Sequence, residues 1–209
     1  MSELVAGAFP DVTAAAARRL MAAAVESFAD NDYHATTTRD ISTAAGMSPA
    51  ALYVHFPSKA AVLSAISLSG HERALAIVEA AAAGPGTPVD RMRVLVTEMA
   101  SWHATHHRIA RIVQYEITAL PKADYTTVAD LRRRTERVVR ALIEEGVDTG
   151  VFACDVRSAA RATLSLCVDI ARWYTAASTP GPAELGKRYA TLVLAMLGAG
   201  PVRTGNKHR

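Results

Sequence analysis

Residues 36 to 59 read TTTRDISTAAGMSPAALYVHFPSK, and this stretch predicts two short helices joined by a tight turn. Thr36 or Thr37 is a typical N-cap for the first helix. Gly46 supplies a left-handed residue, which ends one helix and lets another begin within three residues. Ser48, which precedes a proline, is a typical N-cap for the second helix. The spacing is that of a helix-turn-helix.

Apolar periodicity extends the helical pattern on both sides of this stretch. Residues 13–29 carry apolar side chains at helical spacing, and a further helix begins around Lys59. Leu52 and Phe56 lie four residues apart and are expected to point into the core. Because no segment alternates with a period of two, we predict an all-α fold. The later helices are predicted near 89–107, 109–120, 125–146, 157–177 and 182–197.

The composition is that of a globular chain, with 50% hydrophobic and 6% aromatic residues among 209. No apolar run reaches the roughly 18 residues of a membrane span, and the N-terminus lacks the basic and apolar regions of a signal peptide. We therefore expect a cytoplasmic protein without a membrane partner. Cys154 and Cys167 form no CxxC pair, which suits a reducing compartment. The net charge of +3 is weak support for nucleic-acid binding, since acidic residues outnumber basic ones before Gly70.

The side chains of the opening stretch and its flanks resemble the N-terminal domain of the TetR family of transcriptional regulators. The resemblance covers roughly residues 14 to 66, with departures at Asp32 and Ala50, where the family usually has glycine. It implies a three-helix DNA-binding domain at 12–66 and a ligand-binding and dimerisation domain at 67–200. The matching residues are Phe28, Tyr33, Thr36, Thr37, Ile41, Ala45, Gly46, Ser48, Leu52, Tyr53, His55, Phe56, Ser58 and Lys59.

Two further segments bear on domain limits. Composition alone favours a boundary at residues 84–88, where Gly and Pro alternate and no helix would continue. Residues 201–209 are predicted to form a disordered tail.

The resemblance and the side-chain chemistry together predict a surface that binds a DNA operator. Ser48, Tyr53, His55 and Lys59 would grip phosphates. The front of the second helix is mostly alanine and proline, with Val54, and would touch thymine methyl groups. Arg39 would supply the main polar base contact. The predicted DNA-binding residues are Thr37, Thr38, Arg39, Ser48, Pro49, Ala50, Ala51, Tyr53, His55 and Lys59.

The C-terminal half is expected, from the resemblance, to build a homodimer and to bind a small-molecule effector without a cofactor. The effector pocket is predicted at Met99, Trp102, His103, His106, Ile112, Tyr115, Leu131, Val138 and Trp173. The dimer interface is predicted at Ala160, Leu164, Cys167, Val168, Ala171, Leu192, Val193 and Met196. Residues 172–174, Arg-Trp-Tyr, with the Tyr189 helix, loosely resemble actinobacterial members of the family that respond to acyl-CoA or related lipids. The implied function is a repressor that releases a palindromic operator when the effector binds.

Alternative functions stay open at this stage. His103, His106 and His107 have a spacing that could serve a metal on one helix, but no carboxylate or cysteine joins them, so no metal site is predicted. The basic run Arg132, Arg133, Arg134 and Arg137 is either a solvated face or a contact for an acidic headgroup. No GxSxG, HExxH or Walker sequence supports an enzyme. A helical ligand- or partner-binding module that does not touch DNA is the other alternative.

Overall fold

The computed structural model describes Phe9 and residues 12–199, and this part of the chain contains helices and no strand. The predicted all-α class is confirmed. A short 3-10 turn, Ile117–Ala119, follows the sixth helix, and the tail predicted at 201–209 lies outside the described residues. The helices are α1 (Ala15–Asn31), α2 (Thr38–Ala44), α3 (Pro49–His55), α4 (Lys59–Ala82), α5 (Pro88–Thr105), α6 (His107–Tyr115), α7 (Lys122–Asp148), α8 (Val156–Trp173) and α9 (Pro182–Met196).

The described residues divide into two compact units, of which the first contains Phe9, residues 12–73 and residues 106–131, and the second contains residues 74–105 and 132–199. Helices α4 and α7 each contribute residues to both units. The turn at 84–88 forms as the composition predicts, but it joins α4 to α5 within the second unit. The domain limits 12–66 and 67–200 stay a prediction.

The first unit packs α1 against α2, α3 and α6. The apolar face predicted for α1 is buried, and Ile41 of α2 and Leu52 of α3 are fully enclosed beside it. Phe28 and Tyr33 meet edge to face with ring centroids 5.2 Å apart. Because both short helices bury only a few apolar residues, their positions depend on this shared core with α1.

The second unit packs α9 against α5, and α8 against both of them. Gly186 lies at a close contact between α9 and α5. A Cβ atom built at Gly186 would lie 2.4 Å from the carbonyl oxygen of Thr97, a distance that no real side chain tolerates. The Ser101 hydroxyl donates a hydrogen bond to the carbonyl oxygen of Pro182 across the same contact, at 3.1 Å.

Two predicted helix ends differ from the structure. α8 ends at Trp173, and not near Ala177, because Tyr174 turns into the core and its hydroxyl donates to the carbonyl oxygen of Pro180 at 3.3 Å. The helix predicted at 109–120 ends at Tyr115 and continues only as the 3-10 turn. At the end of α8, the packing of Tyr174 overrides helix propensity.

One described helix, α4, is long and apolar enough to cross a membrane by length and composition, although no span was predicted. Its most apolar window has a mean hydropathy of 1.2, and 56% of that window is buried inside the protein. Burial of this kind is typical of a core helix.

Candidate nucleic-acid interface

The start of α2 is fixed by a capping box between Thr37 and Asp40. The Asp40 carboxylate accepts hydrogen bonds from the Thr37 hydroxyl at 2.7 Å and from the Thr37 backbone N–H at 2.9 Å. The backbone N–H of Asp40 donates in return to the Thr37 hydroxyl oxygen at 3.2 Å. These bonds from Thr37 hold the pKa of Asp40 below its usual value. Since its hydroxyl proton is engaged, Thr37 acts in this state as a helix cap, and its DNA contact stays a prediction.

The turn into α3 has the predicted geometry. Gly46 adopts φ of 64°, the left-handed conformation that glycine accepts without a steric penalty. Arg19 of α1 braces the turn by donating to the carbonyl oxygen of Ala45 at 2.7 Å. The Ser48 hydroxyl oxygen accepts from the backbone N–H of Ala51 at 3.2 Å, with Pro49 as the first helical residue. Because a hydroxyl that accepts still has a proton, Ser48 can donate to a phosphate while it caps the helix.

The outer face of α2 and α3 is open to solvent. Tyr53 and Val54 are 54% and 78% exposed. The Tyr53 hydroxyl is 3.1 Å from the hydroxyl of Thr38, so the two helices are linked at their exposed edge. Arg39, which also lies on this face, is exposed. Of the remaining predicted contacts, Pro49 and Ala50 are exposed, while Ala51 and His55 are half-buried.

Lys59, which was predicted to contact a DNA phosphate, donates to three backbone carbonyl oxygens in this structure, and its phosphate contact stays a prediction. Its Nζ donates to the carbonyl oxygens of Tyr33, His34 and Thr36 at 2.7, 3.2 and 2.7 Å. An ammonium has three protons, and these three bonds use all of them. The same Nζ lies 4.4 Å from the centroid of the Tyr33 ring, within cation–π range. In this conformation Lys59 clamps the segment that leads into α2 and has no proton left for a phosphate.

The clamped segment begins at a strained residue. Asp32 has φ of 70° and ψ of 153°, a region populated almost only by glycine. The buried Thr36 hydroxyl donates to the carbonyl oxygen of Asp32 at 2.7 Å, and the carbonyl oxygen of Ser27 lies 3.1 Å from it. Asp32, which stands where the family usually has glycine, therefore adopts a backbone conformation that glycine would adopt with a lower conformational free energy.

Sequence reasoning missed an ion-pair cluster that joins α6 to α1 within the first unit. The Arg108 guanidinium contacts the carboxylate of Glu26 and lies 3.3 Å from that of Asp30. The i, i+4 spacing of the two acids on α1 was a visible signal. The arginine that pairs with them is about 80 residues away in sequence, so only the fold reveals the partner.

The residues predicted for the dimer interface fall into two groups. Ala160, Cys167, Ala171 and Val193 are buried within their own chain. Their small side chains serve the packing among α5, α8 and α9, which the sequence pattern cannot distinguish from a subunit contact. Leu192 and Met196 are exposed, and Leu164 and Val168 are half-buried. Leu166, which was not predicted, is also exposed on α8.

The residues predicted for an effector pocket are divided between the units. Met99, Trp102, His103, Val138 and Trp173 belong to the second unit, and His106, Ile112, Tyr115 and Leu131 to the first. Met99 and His103 are buried, and His103 Nδ1 lies 2.8 Å from the Met99 carbonyl oxygen. Tyr115 and Trp173 are exposed. Their common role in a pocket stays a prediction.

The histidine trio does not share one helix, contrary to the predicted helix over 89–107. His103 lies on α5, His106 precedes α6 as its N-cap, and His107 is the first residue of α6. Among the described residues no group of three potential ligands could hold a metal ion. Burial, with the charge of Arg73 and then His107, lowers the pKa of His106.

The basic run predicted as either a solvated face or a headgroup contact is exposed on α7 at Arg132, Arg133, Arg134 and Arg137. Arg134 pairs with Glu79 at 3.2 Å within the second unit. This pair is solvent-exposed and contributes little to stability.

Comparison with known proteins agrees with this geometry. Residues 20–66 match the family described as "Bacterial regulatory proteins, tetR family", and residues 85–197 match "Tetracyclin repressor-like, C-terminal domain". The HTH-type transcriptional repressor KstR2 of Mycolicibacterium smegmatis is 28% identical, over 95% of this chain and 98% of the relative.

Solved structures extend the similarity over the whole helical fold. A regulatory protein of the tetR family from Rhodococcus RHA1 is 39% identical, with a TM-score of 0.83, over 90% of this chain and 100% of that one. AibR, solved with isovaleryl coenzyme A and operator DNA, shares the fold at 18% identity and a TM-score of 0.74, over 87% of this chain and 97% of that one. The members of the matched family are transcriptional regulators. This chain belongs to that family, the TetR family of DNA-binding transcriptional regulators.

Proposed function

We propose that the protein is a repressor that binds a palindromic operator as a homodimer and releases it when a small, mainly apolar effector binds. The observation that carries the DNA-binding part is the exposed face of α2 and α3. That face combines a solvent-exposed tyrosine and arginine with a capping serine whose proton is available. The similarity to KstR2, a transcriptional repressor, supports repression over activation.

The dimer is supported by exposed apolar residues of the second unit. Leu192 is 60% exposed, and Met196 of α9 and Leu166 of α8 are exposed as well. Large apolar side chains on neighbouring helices favour burial against a partner. In a two-fold dimer the two α3 helices would read half-sites about one DNA turn, roughly 34 to 36 Å, apart.

Base specificity would come from few groups. Arg39 is the only predicted contact with a guanidinium that can bind guanine with two hydrogen bonds. Pro49, Ala50 and Val54 offer only apolar surface, which suits the methyl group of thymine. Operators in which these thymines are replaced by uracil should bind more weakly, and equal affinity would contradict the methyl contacts.

The effector is proposed to be small and apolar, with acyl-CoA as one candidate class. AibR, which shares the fold, is solved with isovaleryl coenzyme A. A thermal-shift comparison of isovaleryl-CoA and longer acyl-CoAs with free fatty acids and neutral lipids tests this class. The acyl-CoA candidate fails if none of the thioesters raises the melting temperature while another class does.

The DNA-binding proposal is tested by fluorescence anisotropy with DNA from upstream of the protein's own gene. Arg39→Ala and Tyr53→Ala should each weaken binding by about fivefold or more, since each removes a proposed contact worth roughly 1 to 3 kcal/mol. Arg93→Ala is the matched control, because Arg93 is an exposed arginine of α5 in the second unit. If both interface variants bind as tightly as the control, the proposed surface is wrong.

A further inference from the structure

The buried side of α4 carries a line of polar side chains within the first unit. Ser64, Ser67 and His71 follow one another at intervals of three and four residues, so they share one face of the helix. All three are buried, and Ser67 is only 1% exposed. Val62 and Ile66, also fully buried, lie on the adjoining apolar face. We refer to Ser64, Ser67 and His71 as the α4 polar stripe.

The members of the stripe differ in their hydrogen bonds. The Ser64 hydroxyl donates to the carboxylate of Asp124 on α7 at 2.6 Å. His71 Nδ1 lies 2.8 Å from the carbonyl oxygen of Ser67, one turn earlier. The Ser67 hydroxyl itself is buried without a hydrogen-bond partner among the described residues.

An orphan hydroxyl at this position needs an explanation. A helical serine usually satisfies its hydroxyl by donating to the carbonyl oxygen one turn earlier. Ser67 has given up its bonds to water on burial and has gained none in return, so it destabilises this state of the protein relative to alanine. A buried residue that lowers the stability of the protein is typical of a functional site.

The surroundings of the stripe limit what could bind there. Buried residues of the same unit include Ile112 and Val113 of α6 and Val128 of α7, all apolar. A Cβ atom on Gly70, near Ser67 along α4, would lie 3.3 Å from a Val113 methyl group. Among the described residues no lysine or arginine is buried. An anionic headgroup buried here would meet no buried lysine or arginine, whereas a neutral oxygen would find a hydroxyl.

We infer that Ser67, flanked by Ser64 and His71, is the hydrogen-bonding point for a neutral, mainly apolar effector that carries a hydroxyl or carbonyl oxygen. This inference rests on the proposed function, in which an effector releases the operator. Two classes of ligand could supply this oxygen. One is a free ketone or alcohol, and the other is an acyl-CoA, through its thioester carbonyl. In the second case the phosphates of the coenzyme must lie away from the stripe.

The test uses thermal shift on the full chain with three probes: 2-decanone, 1-decanol and isovaleryl-CoA. Ser67→Ala is the diagnostic variant, and it should melt at the same temperature as the parent or higher without a probe. The probe that stabilises the parent should bind Ser67→Ala about five- to tenfold more weakly, which is the loss of one hydrogen bond. Stabilisation by the ketone or alcohol alone identifies a free neutral ligand, and stabilisation by isovaleryl-CoA alone identifies the thioester.

Two serines of the same helix are matched controls. Ser64→Ala breaks the bond to Asp124 and should lower the melting temperature without a probe. Ser69→Ala, which changes another buried serine off the stripe, should leave the probe response as in the parent. The inference is overturned if Ser67→Ala melts as low as Ser64→Ala, if it binds the probe like the parent, or if no probe stabilises the parent.

An operator-binding assay without a probe tests the proposed repressor function independently of the Ser67 inference. The parent and all three serine variants should hold the operator in an anisotropy assay, because none of these residues lies on the exposed face of α2 and α3. If the parent does not bind the operator, the proposed repressor function fails, and the thermal-shift series still decides whether Ser67 contacts the probe.

Discussion

Lys59→Met removes the ammonium that clamps the segment before α2 and keeps the aliphatic length of the side chain. Three carbonyl oxygens, those of Tyr33, His34 and Thr36, then lose a charged donor. A hydrogen bond to a charged group contributes about 1.5 to 3 kcal/mol. The three bonds share one ammonium and the carbonyls lie near solvent, so their contributions do not add fully. We expect a loss of about 2 to 4 kcal/mol.

The corresponding shift in melting temperature is about 4 to 16 °C, since 1 kcal/mol shifts a chain of this size by roughly 2 to 4 °C. The variant Lys59→Arg distinguishes a structural clamp from a phosphate contact. A planar guanidinium keeps the charge but cannot aim three protons at the same three carbonyls. If Lys59 is a clamp, the arginine variant should also melt early. If Lys59 instead grips a phosphate, arginine should replace it well and leave stability unchanged.

The salt dependence of operator binding gives an independent readout. Each phosphate contact contributes about 0.9 to the slope of log affinity against log salt. A dimer that lost two such contacts would show a slope smaller by about 1.8, whereas loss of a clamp weakens binding without changing the slope. The clamp is refuted if Lys59→Met melts like the parent and its slope falls by that amount. Arg39→Met, at the exposed face, is the comparison for a residue that is proposed to contact DNA directly.

Three further predictions concern single residues. Asp32→Gly should raise stability by about 1 kcal/mol, measured by urea unfolding, because it relieves a backbone region that costs about 1 to 3 kcal/mol in a residue other than glycine; a loss of stability would contradict the strain. Gly186→Ala should lower stability by about 1 to 3 kcal/mol in the same assay, since its methyl group would meet the Thr97 carbonyl oxygen; an unchanged midpoint would mean that α9 can move away. His106 has a lowered pKa, caused by burial and by the charge of Arg73, so the unfolded chain binds its proton first and stability should fall as pH drops below about 6.5. His106→Gln should flatten the melting-temperature profile between pH 7.5 and 5.5, and an unchanged slope would show that other groups cause it.

Local signals in the sequence were sufficient for the helix-turn-helix. The Thr37 cap, the left-handed Gly46 and the Ser48 cap each depend on residues within four positions of one another, and the structure has all three. The buried faces of α1 and α3 were predictable for the same reason, since helical periodicity marks them.

Contacts between distant residues were not predictable in this way. Lys59 reaches residues 23 to 26 positions earlier, and nothing in the local pattern separates a clamp from a phosphate contact. The small residues of α8 are equally suitable for a partner subunit or for α5, and the structure buries Ala160 and Ala171 within the chain. The packing of α6 against α1, with Arg108 pairing to Glu26, also joins distant residues.

The exposed face of α2 and α3 has few predicted polar contacts to bases, and this limits how much operator specificity hydrogen bonds can supply. One bidentate contact between a side chain and a base discriminates by about 1 to 3 kcal/mol. If Arg39 is the one bidentate base contact among the predicted DNA-binding residues, the proposed homodimer would gain about 2 to 6 kcal/mol from direct hydrogen bonds. Specific complexes are typically about 4 to 10 kcal/mol tighter than non-specific ones. Under the proposed function, thymine methyl contacts at Ala50 and Val54 and DNA shape supply the difference, so mutations in operator bases that no side chain touches should still weaken binding.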